Sequence, residues 1–142
     1  SVDDKLLQSR SKEVFLQHAT YTAKQLFERF TICKWVANTF RFDAEAGNIS
    51  YYAALNTKEE QAVSPVFATD AIVDKVGSGD CFMAGLIYGL KSQHAIQDVI
   101  GFAAAAAFAK LHEKGDSTKN TVEYIQQVKE KFETTKQQSF IS

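Results

Sequence analysis

The sequence predicts an α/β fold, with helices packed around strands, on three observations. Residues 9–30 carry apolar or small side chains in steps of four, which keeps one helix face together. Two runs rich in β-branched, aromatic and small apolar residues, 32–37 and 49–55, follow with turn residues between them. A third apolar stretch, 71–73, feeds a loop with two glycines that opens another helix.

Each element has its own signal. In 9–30 the recurring pairs are Val14/Phe15, His18/Ala19, Thr22/Ala23 and Leu26/Phe27, ending at Phe30. The strand over 32–37 contains no breaker, and Trp35 is expected in its core. Ala46-Gly47-Asn48 is a turn signal, and Asn56-Thr57-Lys58 turns the chain again after 49–55. A third strand is expected at Gln61-Ala62-Val63, while Pro65, the only proline, argues against a central strand at its own position. Helices are expected over 80–90 and, unusually rich in alanine, over 95–111. Asn120-Thr121-Val122-Glu123 resembles a capping box with Asn120 as N-cap, opening a last helix that runs to about Phe132. Residues 134–142 read as a polar, frayed tail. No internal repeat or long linker divides the chain.

Composition bounds the function. The 142 residues suffice for one compact domain, and a net charge of −1 offers no bulk attraction to nucleic acid or an anionic membrane. The longest apolar run, 102–109, is too short to span a bilayer. Cys33 and Cys81 suggest no disulfide framework, and a reducing cytoplasm is the expected setting. The start at Ser1 shows no apolar leader, and since it does not begin with Met a fragment or processed product is expected.

The informative segment is Asp74-Lys75-Val76-Gly77-Ser78-Gly79-Asp80-Cys81-Phe82. A strand–glycine loop–helix unit aims backbone N–H groups and the positive helix end at one point, where an anion belongs. Gly77 and Gly79 remove side chains that would hold a phosphate away, and Asp80 is favoured in the first helical turn. Such a carboxylate is also placed to take a proton from a hydroxyl beside the phosphate. The spacing fits equally a plain tight turn in which Asp80 only supports the helix.

The segment resembles the D-T-x-G-A-G-D-x-F signature of the ribokinase-type (PfkB) carbohydrate kinases. Asp74, Gly77, Gly79, Asp80 and Phe82 match, Ser78 replaces the common Ala, and Lys75 departs from the common Thr. Its flanks, from Val73 to Leu90, are more similar to the 2-keto-3-deoxygluconate kinase branch, as is Thr39-Phe40-Arg41, while the alanine-rich helix and Lys114-Gly115-Asp116 resemble the C-terminal helices of the family. The resemblance implies the C-terminal part of a three-layer α/β/α fold, with parallel strands and a small antiparallel meander. Residues 1–133 would be the nucleotide- and phosphate-binding portion. It implies ATP and Mg2+ as cofactors, with a monovalent cation in addition, and a small sugar acid as acceptor.

Residue by residue, the resemblance makes Asp80 the base and Gly77, Ser78 and Gly79 an anion hole for the γ-phosphoryl group. It puts Asp74 at a metal or monovalent-cation site, where Lys75 sets a cation in place of a hydroxyl ligand. Thr39 would face the nucleotide phosphates, and Ala104 and Ala105 would line the adenine pocket. Family members are longer, so an N-terminal portion, or a second copy, is expected to cover an exposed sheet edge.

Other residues carry weaker expectations. His18, His94 and His112 share no metal-ligand spacing and read as surface or helix-end residues. Cys81, at a helix start, is open to a lowered thiol pKa but reads better as packing. Tyr51 and Tyr52 fall on opposite strand faces. Arg41 is equally a phosphate contact or a turn residue, and Lys110, Lys114 and Lys119 read as solvated. Competing readings are a fructokinase or ribokinase, a silent nucleotide- or anion-binding module, or an unrelated α/β domain.

Overall fold

The computed structural model describes residues 2–43 and 47–141, with side chains over 10–43 and 47–134. Its elements are α1 (Val2–Arg29), β1 (Val36–Asp43), β2 (Ile49–Asn56), β3 (Gln61–Val63), β4 (Phe67–Thr69), α2 (Ser78–Lys91), α3 (Ile96–Lys110) and α4 (Val122–Ile141). The predicted mixed α/β class is present. The sheet order is β1-β2-β3, with β4 also pairing β2. The β2–β4 ladder is antiparallel, with Ile49 opposite Thr69 and Tyr51 opposite Phe67. The connections from β1 to β2 and from β2 to β3 are too short for a parallel crossover, so the described strands form the meander part of the expectation.

The break between β3 and β4 has a local cause. Pro65 has no N–H for a ladder. Ser64 bridges the gap, its hydroxyl accepting the Ala53 N–H at 2.9 Å and donating to the Pro65 carbonyl at 2.9 Å.

The backbone divides into two compact units. One comprises residues 1–38 and 54–62. Here α1 buries Ala19, Ala23 and Phe27, a subset of the predicted stripe. Gln61 holds that unit together, its amide donating to the Leu16 carbonyl at 3.0 Å, the Thr20 hydroxyl at 2.9 Å and Asn56 Oδ1 at 3.1 Å. Val14 and Trp35 are exposed, and Ile32 is 90% exposed. The strand therefore starts at Val36 rather than Ile32, and Trp35 is not core: the Thr31-Ile32 turn delays the strand.

The other unit comprises 39–53 and 63–142. Its centre is α3, whose residues from Val99 to Lys110 are all buried. Glycine and alanine permit this close approach. A Cβ on Gly85 of α2 would lie 2.9 Å from Ala103 Cα, and one on Gly89 would meet Val99 at 3.0 Å. Phe67 anchors the sheet side, with its ring centroid 5.3 Å from that of Phe108 and 5.0 Å from that of Phe132.

Three expectations shift here. The stretch 71–73 is not a strand; its end is held by the Leu111 carbonyl, which accepts the N–H of Val73 at 2.9 Å and of Asp74 at 3.2 Å. The last helix is capped by Thr121, whose hydroxyl accepts the Tyr124 N–H at 3.1 Å, because the Asn120 amide is spent on Glu113 Oε1 at 2.7 Å. That helix continues to Ile141, beyond the frayed boundary expected at 134. Of the predicted 46–48 turn, Ala46 lies outside the described residues, and Gly47 has φ 77°.

Candidate phosphate site

The glycine loop opens α2 as the sequence reading requires. Gly77 is the N-cap with φ 80° and ψ −3°, and no side chain caps the helix. A Cβ on Gly77 would lie 2.5 Å from the Asp116 carbonyl oxygen. Only glycine satisfies both the left-handed backbone and that approach. Gly79 differs: nothing lies within 4 Å of the position its Cβ would take. The first helical N–H groups, those of Ser78, Gly79 and Asp80, have no intrahelical acceptor. The next, on Cys81, is taken by the Gly77 carbonyl at 3.0 Å. The N–H groups that open the helix are therefore those of Ser78, Gly79 and Asp80, next to Gly77. Asp80 is exposed in the first turn, beside these donors.

The loop is braced from behind. Asp74 Oδ1 accepts the Val76 N–H and Oδ2 accepts the Gly115 N–H, both at 3.0 Å. These bonds, that of Val76 first, hold its carboxyl below the usual carboxylate range. Ser78 adds a tie, its hydroxyl donating to the Lys75 carbonyl at 3.0 Å. Asp74 is thus engaged with backbone on both oxygens. Among the described residues no group of three or more His, Cys, Asp or Glu side chains gathers.

Lys75 Nζ and Arg41 Nε each lie 3.7 Å from the Asp43 carboxylate, all three groups well exposed. Surface pairs of this kind add little stability. Thr39 is exposed and shares a hydrogen bond with Tyr51, whose hydroxyl acidity is weakened chiefly by burial. Tyr52 is on the other strand face, stacked on Phe40 at 4.8 Å. Ala104 and Ala105, by contrast, have 0% exposure. They are packed inside the helical layer and present no surface to a nucleotide, because the close helix contacts consume the alanine faces.

Of three further residues, two stand as expected and one does not. Burial raises the Cys81 thiol pKa, against the opposing charge of Lys110. His112 is a helix-end residue as predicted, within 3.1 Å of Thr69 Oγ1 and of the Phe108 carbonyl. Lys110 is not solvated: it has 0% exposure at the end of α3. The sequence did contain a signal, since Lys110 continues an unbroken apolar run that no solvent-facing residue interrupts.

Comparison with known proteins adds the following. A family model described as pfkB family carbohydrate kinase matches residues 48–123. Among curated proteins none matches the chain. Of solved structures, it is similar to 2-dehydro-3-deoxygluconokinase from Thermotoga maritima, at 28% identity and TM-score 0.70 over 76% of this chain and 32% of that one. It is also similar to a PfkB family carbohydrate kinase from Listeria grayi, at 25% identity and TM-score 0.72 over 76% of this chain and 34% of that one. A candidate 2-keto-3-deoxygluconate kinase from Enterococcus faecalis shares the fold at 22% identity and TM-score 0.70, over 78% of this chain and 32% of that one. The chain thus spans about a third of the length of these neighbours. Among the described residues no helix is long and apolar enough to cross a membrane. The family model covers more than half of the chain, including the whole glycine loop, and the chain belongs to the pfkB family of carbohydrate kinases.

Proposed function

We propose that this chain is the phosphate-binding portion of an ATP-dependent sugar kinase whose acceptor is a sugar acid of the 2-keto-3-deoxygluconate type. The observation that carries the reading is the loop: open N–H groups at Ser78, Gly79 and Asp80, with the exposed Asp80 carboxylate beside them. The similarity to the Thermotoga maritima deoxygluconokinase supports the choice of acceptor.

In this mechanism the N–H groups hold oxygens of the γ-phosphoryl group as negative charge develops. Asp80 accepts the proton of the acceptor hydroxyl while its oxygen bonds to phosphorus and the bond to the ADP leaving oxygen breaks. Thr39, held by Tyr51, faces the nucleotide phosphates. A magnesium ion bound with the nucleotide would supply charge neutralisation at the phosphates. Asp74 keeps the loop in shape and is given no metal.

The chain alone forms one wall of the site. The exposed apolar residues support further polypeptide on each unit: Ile32 and Val14 on one, Val76, Met83 and Ile87 on the other. Turnover is therefore assigned to the longer kinase that carries this chain. The test is phosphate transfer from ATP to a panel of sugar acids, fructose and ribose by that longer kinase. Asp80→Asn is expected to lower kcat by roughly 10²–10⁴-fold. Near-normal turnover in Asp80→Asn would sink the role of Asp80. Transfer to fructose or ribose in preference to sugar acids would move the assignment within the family.

A further inference from the structure

The resemblance to sugar kinases implies a monovalent cation beside Asp74, and the residues present do not fit one. Both Asp74 oxygens are taken by backbone N–H groups. The neighbouring Glu113 carboxylate is taken as well, accepting from the Thr118 hydroxyl at 2.6 Å, the Lys119 N–H at 2.8 Å and the Asn120 amide at 2.7 Å. A positive charge is already in place there. Lys110 has 0% exposure, and its Nζ donates to the Glu113 carbonyl at 3.1 Å. That is its one hydrogen bond among the described residues, for three available donors.

The position of this ammonium relative to the loop is informative. The carbonyl of the next residue, Leu111, accepts the N–H groups of Val73 and Asp74, where the loop begins. The field of Lys110 reaches Asp74 at one end of the loop and Cys81 just past the other, as well as Glu113. A buried lysine is costly unless its charge is compensated. One carbonyl is meagre compensation, and the two carboxylates nearby are hydrogen-bonded elsewhere. An anion on the glycine loop would supply what is missing.

We propose that the Lys110 ammonium is the resident cation behind the glycine loop, standing where a monovalent metal ion would otherwise be needed and strengthening the loop's grip on a polyphosphate. The proposal rests on the loop being a phosphate site. Lys110 is a positioning residue: it has no exposed surface and acts through its field, which a low-dielectric interior transmits further than water does.

The test is calorimetric titration of the 142-residue chain with inorganic tripolyphosphate, in choline chloride and in potassium chloride at equal ionic strength. The unaltered chain is expected to bind equally in the two salts, within about twofold. Lys110→Gln keeps an N–H donor for the Glu113 carbonyl and removes only the charge, whereas Lys110→Met removes both. Both are expected to weaken binding by about tenfold or more. Full affinity in Lys110→Gln overturns the proposal, because a hydrogen-bonding role alone survives that change. Several-fold tighter binding of the unaltered chain in potassium also overturns it, and this comparison decides alone if neither variant melts cooperatively. No tripolyphosphate binding in either salt overturns the phosphate-site reading itself, and with it this proposal.

Discussion

Asp74 Oδ2 accepts the backbone N–H of Gly115 at 3.0 Å across 41 residues of sequence. Through its other oxygen it holds Val76, so one carboxylate joins the start of the glycine loop to the turn behind it. The Asp116 carbonyl that closes on Gly77 belongs to that same turn.

This bond makes stability depend on acid. The Asp74 pKa is lower when folded than its ordinary value of 3.8. Its contribution is therefore complete above 3.8 and is lost as the pH falls through the lower folded value. Asp74→Asn is expected to melt below the parent chain at about pH 7, with the gap closing as the pH falls below 3.8 and the parent carboxyl is protonated in its turn. Melting curves by circular dichroism measure this, and a gap of constant size across that range contradicts it.

The two loop glycines should respond oppositely to alanine. Gly77→Ala forces a left-handed backbone on a residue with a Cβ, at about 1–2 kcal/mol before the clash with Asp116 is counted. A melting temperature lower by several degrees is expected. Gly79→Ala meets open space and should leave the melting temperature unchanged or slightly higher, while tripolyphosphate affinity falls. Calorimetry and thermal melts on the pair separate structure from binding.

Ser64→Ala removes the only side chain that answers the Ala53 N–H at the β3–β4 break. The site is 1% exposed, so water does not replace the hydroxyl. A loss of about 1–3 kcal/mol in urea unfolding is expected.

Gly85→Ala should also destabilise, although alanine favours helices by about 1 kcal/mol over glycine. Its Cβ would press on the Ala103 backbone at 2.9 Å, and overpacking of this kind costs about 1–3 kcal/mol. An increase in stability would mean that α2 and α3 separate freely.

Much of this was legible in residue type. Gly77 and Asp80 announced a helix start, and Pro65 announced an interrupted strand. What escaped depended on contacts distant in sequence. Nothing near Asp74 in sequence says that Gly115 will donate to its second oxygen. The resemblance put Ala104 and Ala105 at an adenine pocket, whereas in this structure both are enclosed by helix packing. Lys110 looked solvated because lysine usually is; its burial follows from how tightly α3 is enclosed. Trp35 missed the core because a turn delayed the strand by four residues from the predicted start.

The division of the backbone has a consequence for anyone dissecting this molecule. The chain passes from one unit to the other after residues 38, 53 and 62, and the second of these passages lies within β2. Neither unit is a contiguous stretch, so no single truncation yields either one whole. A cut on either side of β2 deprives both of a segment. Excision would require circular permutation or two co-expressed pieces, and any lesion that frees β2 is felt on both sides at once.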